Sequence, residues 1–291
     1  MKLAIASGKG GTGKTTLAAA LVSVWSPPVV AVDLDVEEPN LHLFLQPEIT
    51  GRETATIEVP RVDKSKCTYC GKCAEICRFK AISVLGEVVI TFPEMCHGCG
   101  GCMAVCPENA VTPANRPLGE ILWGKTANAD FWMGRLRVGE AMSPPLMRQV
   151  KSRLNESLAG RNADVIIDAP PGVSCPAVNA VMDTDAILLV TEPTPFGFYD
   201  LRLAHQAFTP LGIPMGVLIN RAGLGDRSVY EYCEEQHLPI LGEVPYRRRI
   251  ATAYAAGMVL SELETEMHRF FSELADQIQT GAIGNQEVEV D

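Results

Sequence analysis

Lys2-Leu3-Ala4-Ile5-Ala6-Ser7-Gly8-Lys9-Gly10-Gly11-Thr12-Gly13-Lys14-Thr15-Thr16 opens the chain and decides its fold class. Residues 2–6 are a short apolar run that reads as a strand, the alanine-rich stretch after Thr16 reads as a helix, and the glycines between them form the turn. Gly8 to Thr15 matches G-x-x-x-x-G-K-T in the strand-to-helix setting that a phosphate loop requires. Glycines let backbone N–H groups turn toward a polyphosphate, and the helix start adds its partial positive charge. Lys14 can then neutralise β/γ oxygens while Thr15 ligates Mg2+. Gly8, Lys9, Gly10, Gly11, Thr12, Gly13, Lys14, Thr15 and Thr16 are therefore the candidate cradle for a nucleotide.

Working outward, Val29 to Asp33 is a second strand-like run that delivers two carboxylates, Asp33 and Asp35, at its carboxyl end. Asp164 to Asp168 is a third, ending in an acidic residue and followed by Ala169-Pro170-Pro171-Gly172. It reads as a Walker B strand and switch: Asp168 helps to hold Mg2+, and Gly172 is placed to sense a γ-phosphate on a turn that proline stiffens. Further strand-like segments at 185–191, 214–219 and 239–244 alternate with helix-like ones. That alternation predicts an α/β fold with a mainly parallel sheet and helices on both faces. Ligand is expected at the carboxyl ends of the strands.

Eight of the ten cysteines form two near-identical runs between these segments. Cys67, Cys70, Cys73 and Cys77 make one; Cys96, Cys99, Cys102 and Cys106, followed by Pro107, make the other. Structural zinc accepts four cysteines but usually pairs two CxxC arms, whereas C-x2-C-x2-C-x3-C is iron–sulfur spacing. Disulfides are disfavoured because no secretory leader precedes the core, which points to a reducing, cytoplasmic setting. The runs resemble bacterial ferredoxins, in which the last cysteine of each run ligates the other cluster. That resemblance implies one [4Fe-4S] cluster on Cys67, Cys70, Cys73 and Cys106, and a second on Cys96, Cys99, Cys102 and Cys77. The first run departs from the pattern, with Arg78-Phe79 where a proline would follow the last cysteine.

The extra lysine in the loop, Lys9, gives a K-G-G-T-G-K-T form that resembles the deviant Walker A loop of the MinD, ParA, Mrp and nitrogenase iron-protein superfamily. The resemblance spans most of the chain, with motifs at 9–15, 33–40, 164–172, 220 and 245. It implies an ATPase in which Lys9 reaches phosphate, often across the interface of an ATP-dependent homodimer. By the same resemblance Asp35 positions the attacking water and Asp33 lies near Mg2+. Asn220 and Arg221, with Pro245, match the segments that recognise the base. Catalytic roles are thus expected for Asp35, Lys14 and Lys9, and metal roles for Thr15, Asp33 and Asp168.

The 291 residues, 47% of them hydrophobic, suffice for one substantial core and a small satellite. Residues 1–60 and 116–280 are read as a discontinuous ATPase domain, 61–115 as an inserted small α+β ferredoxin-like domain, and 281–291 as an acidic, disordered tail. Residues 118–138, with Trp123, Phe131 and Trp132, are expected to form an edge hairpin. The net charge of -10 and the lack of a membrane-length apolar run count against nucleic acid and membrane as partners. Cys233 reads as a core thiol. Cys175 stands at the offset of a bridging cluster ligand in the nitrogenase iron protein, but without its counterpart. The combination points to ATP-gated electron transfer toward a redox or metal-cluster partner. An iron–sulfur carrier of the Mrp kind and a ParA-like assembly ATPase with structural clusters are the alternatives.

Overall fold

In the computed structural model, which describes residues 1–283, the chain begins β1 (Lys2–Ala6), α1 (Lys14–Val24), β2 (Val29–Asp33), α2 (Leu41–Leu45) and β3 (Glu48–Val62). A small unit follows: α3 (Lys72–Ile76), β4 (Ile82–Leu85), β5 (Val88–Thr91) and α4 (Gly101–Ala104). The chain returns through β6 (Val111–Lys125), β7 (Asp130–Leu136), α5 (Ser143–Ser157), β8 (Asp164–Asp168), α6 (Cys175–Val181) and β9 (Ala186–Thr191). It ends with α7 (Pro195–Phe208), β10 (Met215–Ala222), α8 (Ser228–Glu235), β11 (Ile240–Pro245), α9 (Arg248–Ala255) and α10 (Thr265–Gln279).

Nine strands form one sheet in the order β11-β10-β9-β1-β8-β2-β7-β6-β3, parallel from β11 to β7 and antiparallel at β6 and β3. Strand alternation builds a core on each face. Leu3 and Ile5 of β1 join Leu17 and Leu21 of α1 and Phe271 and Leu274 of α10 on one side. Ala4 and Ala6 face the other side, where Leu146 and Val150 of α5, Ala177 of α6, and Leu201 and Phe208 of α7 pack. A fully buried Leu or Phe side chain contributes about 2 kcal/mol, so this two-sided burial fixes the strand that carries the phosphate loop. The sheet grows from β1 toward β8 and β2 on one hand and toward β9 and β10 on the other. The carboxyl end of β1 is therefore the switch point where such sheets bind ligands.

The expected hairpin over 118–138 is β6–β7, but it is not at the sheet's edge: β7 pairs with β2 and the edge strand is β3. Trp123 stacks on Trp132 at 5.3 Å between ring centroids. Sequence reading missed β3. It alternates exposed and buried residues, with Ala55, Ile57 and Val59 turned inward, and pairs with β6 from Glu48↔Lys125 to Val62↔Val111. The segments around Pro60 and Thr112–Pro117, at the expected edges of the inserted domain, are thus a continuous two-stranded ribbon. Pro113 and Pro117 lie where β6 has left β7, whose ladder begins at Gly119, so their missing N–H groups break no central pairing.

The unit at the ribbon's end has a small core of Cys73, Ile82 and Val111 with Val62, Val84 and Val89 around it. Residues 284–291 of the expected tail lie outside the described residues, while Ile283 is buried in the core beneath α10. Among the described residues no helix is long and apolar enough to cross a membrane.

Candidate functional site

The phosphate loop leaves β1 and enters α1 through Gly11 and Gly13, which hold φ of 80° and 94°. Asn220, at the carboxyl end of β10, donates its Nδ2 to the Thr12 carbonyl at 2.7 Å and accepts from the Arg221 N–H at 2.9 Å. Nδ2 thus braces the loop, while Oδ1 is engaged by the neighbouring backbone. Gly172, with φ of 91°, donates its N–H to the Ser7 carbonyl at 2.9 Å and so ties the turn after β8 to the loop. Lys14 is 7% exposed, and its charge faces Asp35 and Asp168.

Three carboxylates converge here. Asp33 is fully buried and accepts N–H bonds from Asp35 at 3.0 Å, Asn40 at 3.0 Å and Leu41 at 2.9 Å, so it anchors the loop between β2 and α2. Thr15 donates its hydroxyl to Asp168 Oδ2 at 2.6 Å. Burial, then the charge of Asp168, holds the Asp33 carboxyl well above the usual range. Burial raises Asp168 as well, against the pull of Lys14. Asp35 is pushed up to about 6 by burial, with Lys14 opposing.

Asp168 Oδ1 and the hydroxyls of Thr12 and Thr16 are buried without a hydrogen-bond partner. Orphaned donors and acceptors of this kind cost about 1–3 kcal/mol each unless a ligand meets them. An unpaired carboxylate oxygen beside the Thr15 hydroxyl suits a divalent cation, and the two threonine hydroxyls suit phosphate or its water. The adjoining cleft is walled by Gly13, Thr16, Asn220, Arg221, Pro245 and Tyr246. Pro245, Asn220 and Arg221, expected at a base pocket, therefore share one cavity with the loop.

Lys9 points elsewhere than along the loop: its Nζ lies 2.6 Å from Glu192 Oε1 and 3.8 Å from Asp200 Oδ2. Sequence reading missed Glu192. Its only signal is that it follows a parallel strand, the position from which sheets of this class present side chains to ligand. Tyr246 had no signal beyond its place next to Pro245.

The cysteines sort into two cavities. Cys67, Cys70, Cys73 and Cys106 line one, together with Val84, Val89 and Pro107. Cys77, Cys96, Cys99 and Cys102 line the other, against Glu58 and Pro60 of β3. Each cavity takes three cysteines of one run and the last of the other.

Backbone geometry repeats at an offset of 29 residues. Tyr69 and Gly98, Gly71 and Gly100, and Lys80 and Asn109 all have positive φ. Gly71 and Gly100 start α3 and α4, each just after a cysteine. Ala81 N–H donates to Cys77 Sγ at 3.3 Å, and Ala110 N–H to Cys106 Sγ at 3.2 Å. Burial raises the thiols of Cys73 and Cys102, which are also equivalent under the repeat.

N–H groups aimed at sulfur stabilise thiolates, the form in which cysteines ligate a metal. Among the described residues no group of three or more His, Cys, Asp or Glu is disposed to hold one metal ion. Where the first run lacks proline, the Phe79 ring stacks on His97, 3.4 Å between centroids and 9° between planes, and both wall the second cavity. Cys175 is exposed at the start of α6, and Cys233 is buried in the core of α8.

A family model described as the CobQ/CobB/MinD/ParA nucleotide binding domain matches residues 3–260. The uncharacterized protein MJ0579 of Methanocaldococcus jannaschii is 29% identical over 291 residues, covering 97% of this chain and 98% of the relative. The septum site-determining protein MinD of Pyrococcus horikoshii, complexed with Mg-ADP, superposes with a TM-score of 0.58 at 19% identity, over 98% of this chain and 99% of that one. Ferredoxin-3 of Nostoc is 33% identical over 70 residues, which is 18% of this chain and 72% of the ferredoxin.

Proposed function

The chain belongs to the CobQ/CobB/MinD/ParA nucleotide-binding domain family, and from that premise we propose that it binds and hydrolyses ATP and couples its nucleotide state to electron transfer through two [4Fe-4S] clusters. The observation that carries the iron–sulfur half is the division of eight cysteines into two cavities of four, each completed by the last cysteine of the other run. The likeness of a short stretch to Ferredoxin-3 supports it. The ATPase half is supported by the loop, its orphaned hydroxyls and the acidic triad, two of whose members are fully buried, and by a MinD of the same fold complexed with Mg-ADP.

In this reading the loop N–H groups and Lys14 receive β/γ oxygens, and Asp35 holds the attacking water. Thr15 and Asp168 would hold Mg2+, with Asp33 behind them, and Gly172 reports on the γ-phosphate. Mg2+ supplies charge neutralisation to the phosphate oxygens. Cys67, Cys70, Cys73 and Cys106 would bind one cluster, and Cys77, Cys96, Cys99 and Cys102 the other. Bound there, such clusters supply reversible one-electron transfer. Asn220 steadies the loop beside a base pocket bounded by Arg221 and Pro245. A homodimer formed on ATP would bring each Lys9 to phosphate, and Phe196, 79% exposed near Lys9, gives that face an apolar contact.

Anaerobic purification, iron counting and redox titration with and without Mg-ATP test the proposal together. The expected result is about eight irons per chain, as two four-iron clusters require, and a midpoint potential that shifts when nucleotide binds. Colourless protein, or clusters whose potential and transfer rate ignore nucleotide, would overturn it.

A further inference from the structure

Glu192 follows β9, the strand beside β1, and stands at the sheet edge where the phosphate loop begins. Its side chain is only 8% exposed, and its two oxygens serve different cations. Oε1 accepts from Lys9 Nζ at 2.6 Å, and Oε2 accepts from Arg221 Nη1 at 2.7 Å. Arg221 reaches onward to the Gly11 carbonyl at 3.3 Å. One buried carboxylate thus ties the loop lysine to the arginine that walls the cleft.

The backbone leaves Glu192 little freedom. Thr194 N–H donates to the Glu192 carbonyl at 2.8 Å. A Cβ on Gly197 would lie 2.1 Å from that carbonyl oxygen, so α7 and the 192–194 turn are pressed together. Gly8 is pressed in the same way, with its would-be Cβ 2.0 Å from the Asp200 carbonyl oxygen. The loop, the turn and α7 form one packed block, and Lys9 is held inside it by two acidic side chains.

We propose that Glu192 is a positioning residue that latches Lys9 away from phosphate in the nucleotide-free chain, so that binding requires Lys9 to exchange a carboxylate for a polyphosphate. The inference rests on the nucleotide-site reading above and adds a regulatory step to it. A buried carboxylate left without any cation would be strongly destabilised. Here it would not be, because Arg221 stays on Oε2 when Lys9 departs. The exchange is therefore between two paired states, and the latch sets how much phosphate charge is needed to release Lys9.

The test is equilibrium binding of a non-hydrolysable ATP analogue with Mg2+ to the full chain. Glu192→Gln keeps the shape and removes the charge, and it is expected to bind the analogue about tenfold tighter, the order expected when a competing partly buried ion pair is lost. Merely structural damage would weaken binding instead. In a Lys9→Met background the same change is expected to give no gain, since there is no lysine to release. Asp200→Asn, which removes the more distant carboxylate, is expected to give a smaller gain in the same direction. It serves as the second variant should Glu192→Gln fold poorly. Equal or weaker binding by these variants, while the wild-type chain binds normally, overturns the latch. A wild-type chain that does not bind the analogue overturns the nucleotide site itself.

Discussion

Gly13 shows how little slack the loop has. It sits at φ 94°, where an L side chain is strained, and a Cβ there would lie 2.4 Å from Asn220 Nδ2. Gly13→Ala is expected to lose nucleotide binding by at least about tenfold, as ~1.4 kcal/mol of loop distortion implies, without loss of the fold. An unchanged dissociation constant for a fluorescent nucleotide would remove this loop from the site. Asp35 makes a pH-dependent claim. Its folded carboxyl, at about 6, holds its proton more tightly than an ordinary one near 3.8. Its contribution is therefore intact below about pH 4 and lost as pH rises toward 6. In metal-free protein the thermal midpoint of wild type relative to Asp35→Asn should fall over that window; a flat difference would refute the burial of this carboxylate. Asp35→Ala should also lower hydrolysis by about 10²–10³-fold while leaving iron content unchanged, measured as phosphate release and iron per chain. The loop and Asp33, Asp35 and Asp168 were legible because motif spacing fixes them along the chain. Glu192 was not, since its partners Lys9 and Arg221 are joined to it only by the sheet.

Elements carry the pairing of the cysteines. The 29-residue repeat places α3 and α4 so that Cys106 completes the cavity of Cys67, Cys70 and Cys73. Cys106→Ala and Cys73→Ala should therefore disable the same site, and the double variant should retain about four irons per chain. Cys106→Ala with Cys102→Ala should retain none. The reverse pattern in anaerobic iron analysis, with none retained by the first pair and about four by the second, would show that the runs do not cross. At the base of the ribbon, Arg116 of β6 pairs with Glu140, whose side chain is 2% exposed. Removing one partner of a buried pair costs about 3–5 kcal/mol, so Arg116→Met should lower stability by that order in denaturant titration. Arg116→Met with Glu140→Leu should recover most of it. The parallel strands other than β7 were readable as apolar runs. β3 was not, because its threonines, glutamates and arginines alternate with a few inward residues and become a strand only when β6 lies alongside.

On the scale of the whole molecule, the small unit hangs from paired strands whose last rung is Val62↔Val111. Replacing residues 63–110 with a two-residue Asn-Gly turn should close that ladder as a hairpin. The shortened protein is expected to fold, to bind nucleotide and to contain no iron, as checked by circular dichroism, nucleotide titration and iron analysis. Failure to fold would mean that the sheet needs its guest. The chain leaves Asp33 through the loop that this carboxylate anchors, passes α2, and enters β3 within a few residues; β3 then runs to Glu58 and Pro60, which wall the second cysteine cavity. No slack tether intervenes, so the unit is a cantilever clamped to the outer edge of the sheet, on the ribbon that β3 and β6 form. A tilt at that clamp would be carried to its tip and enlarged along the beam's length.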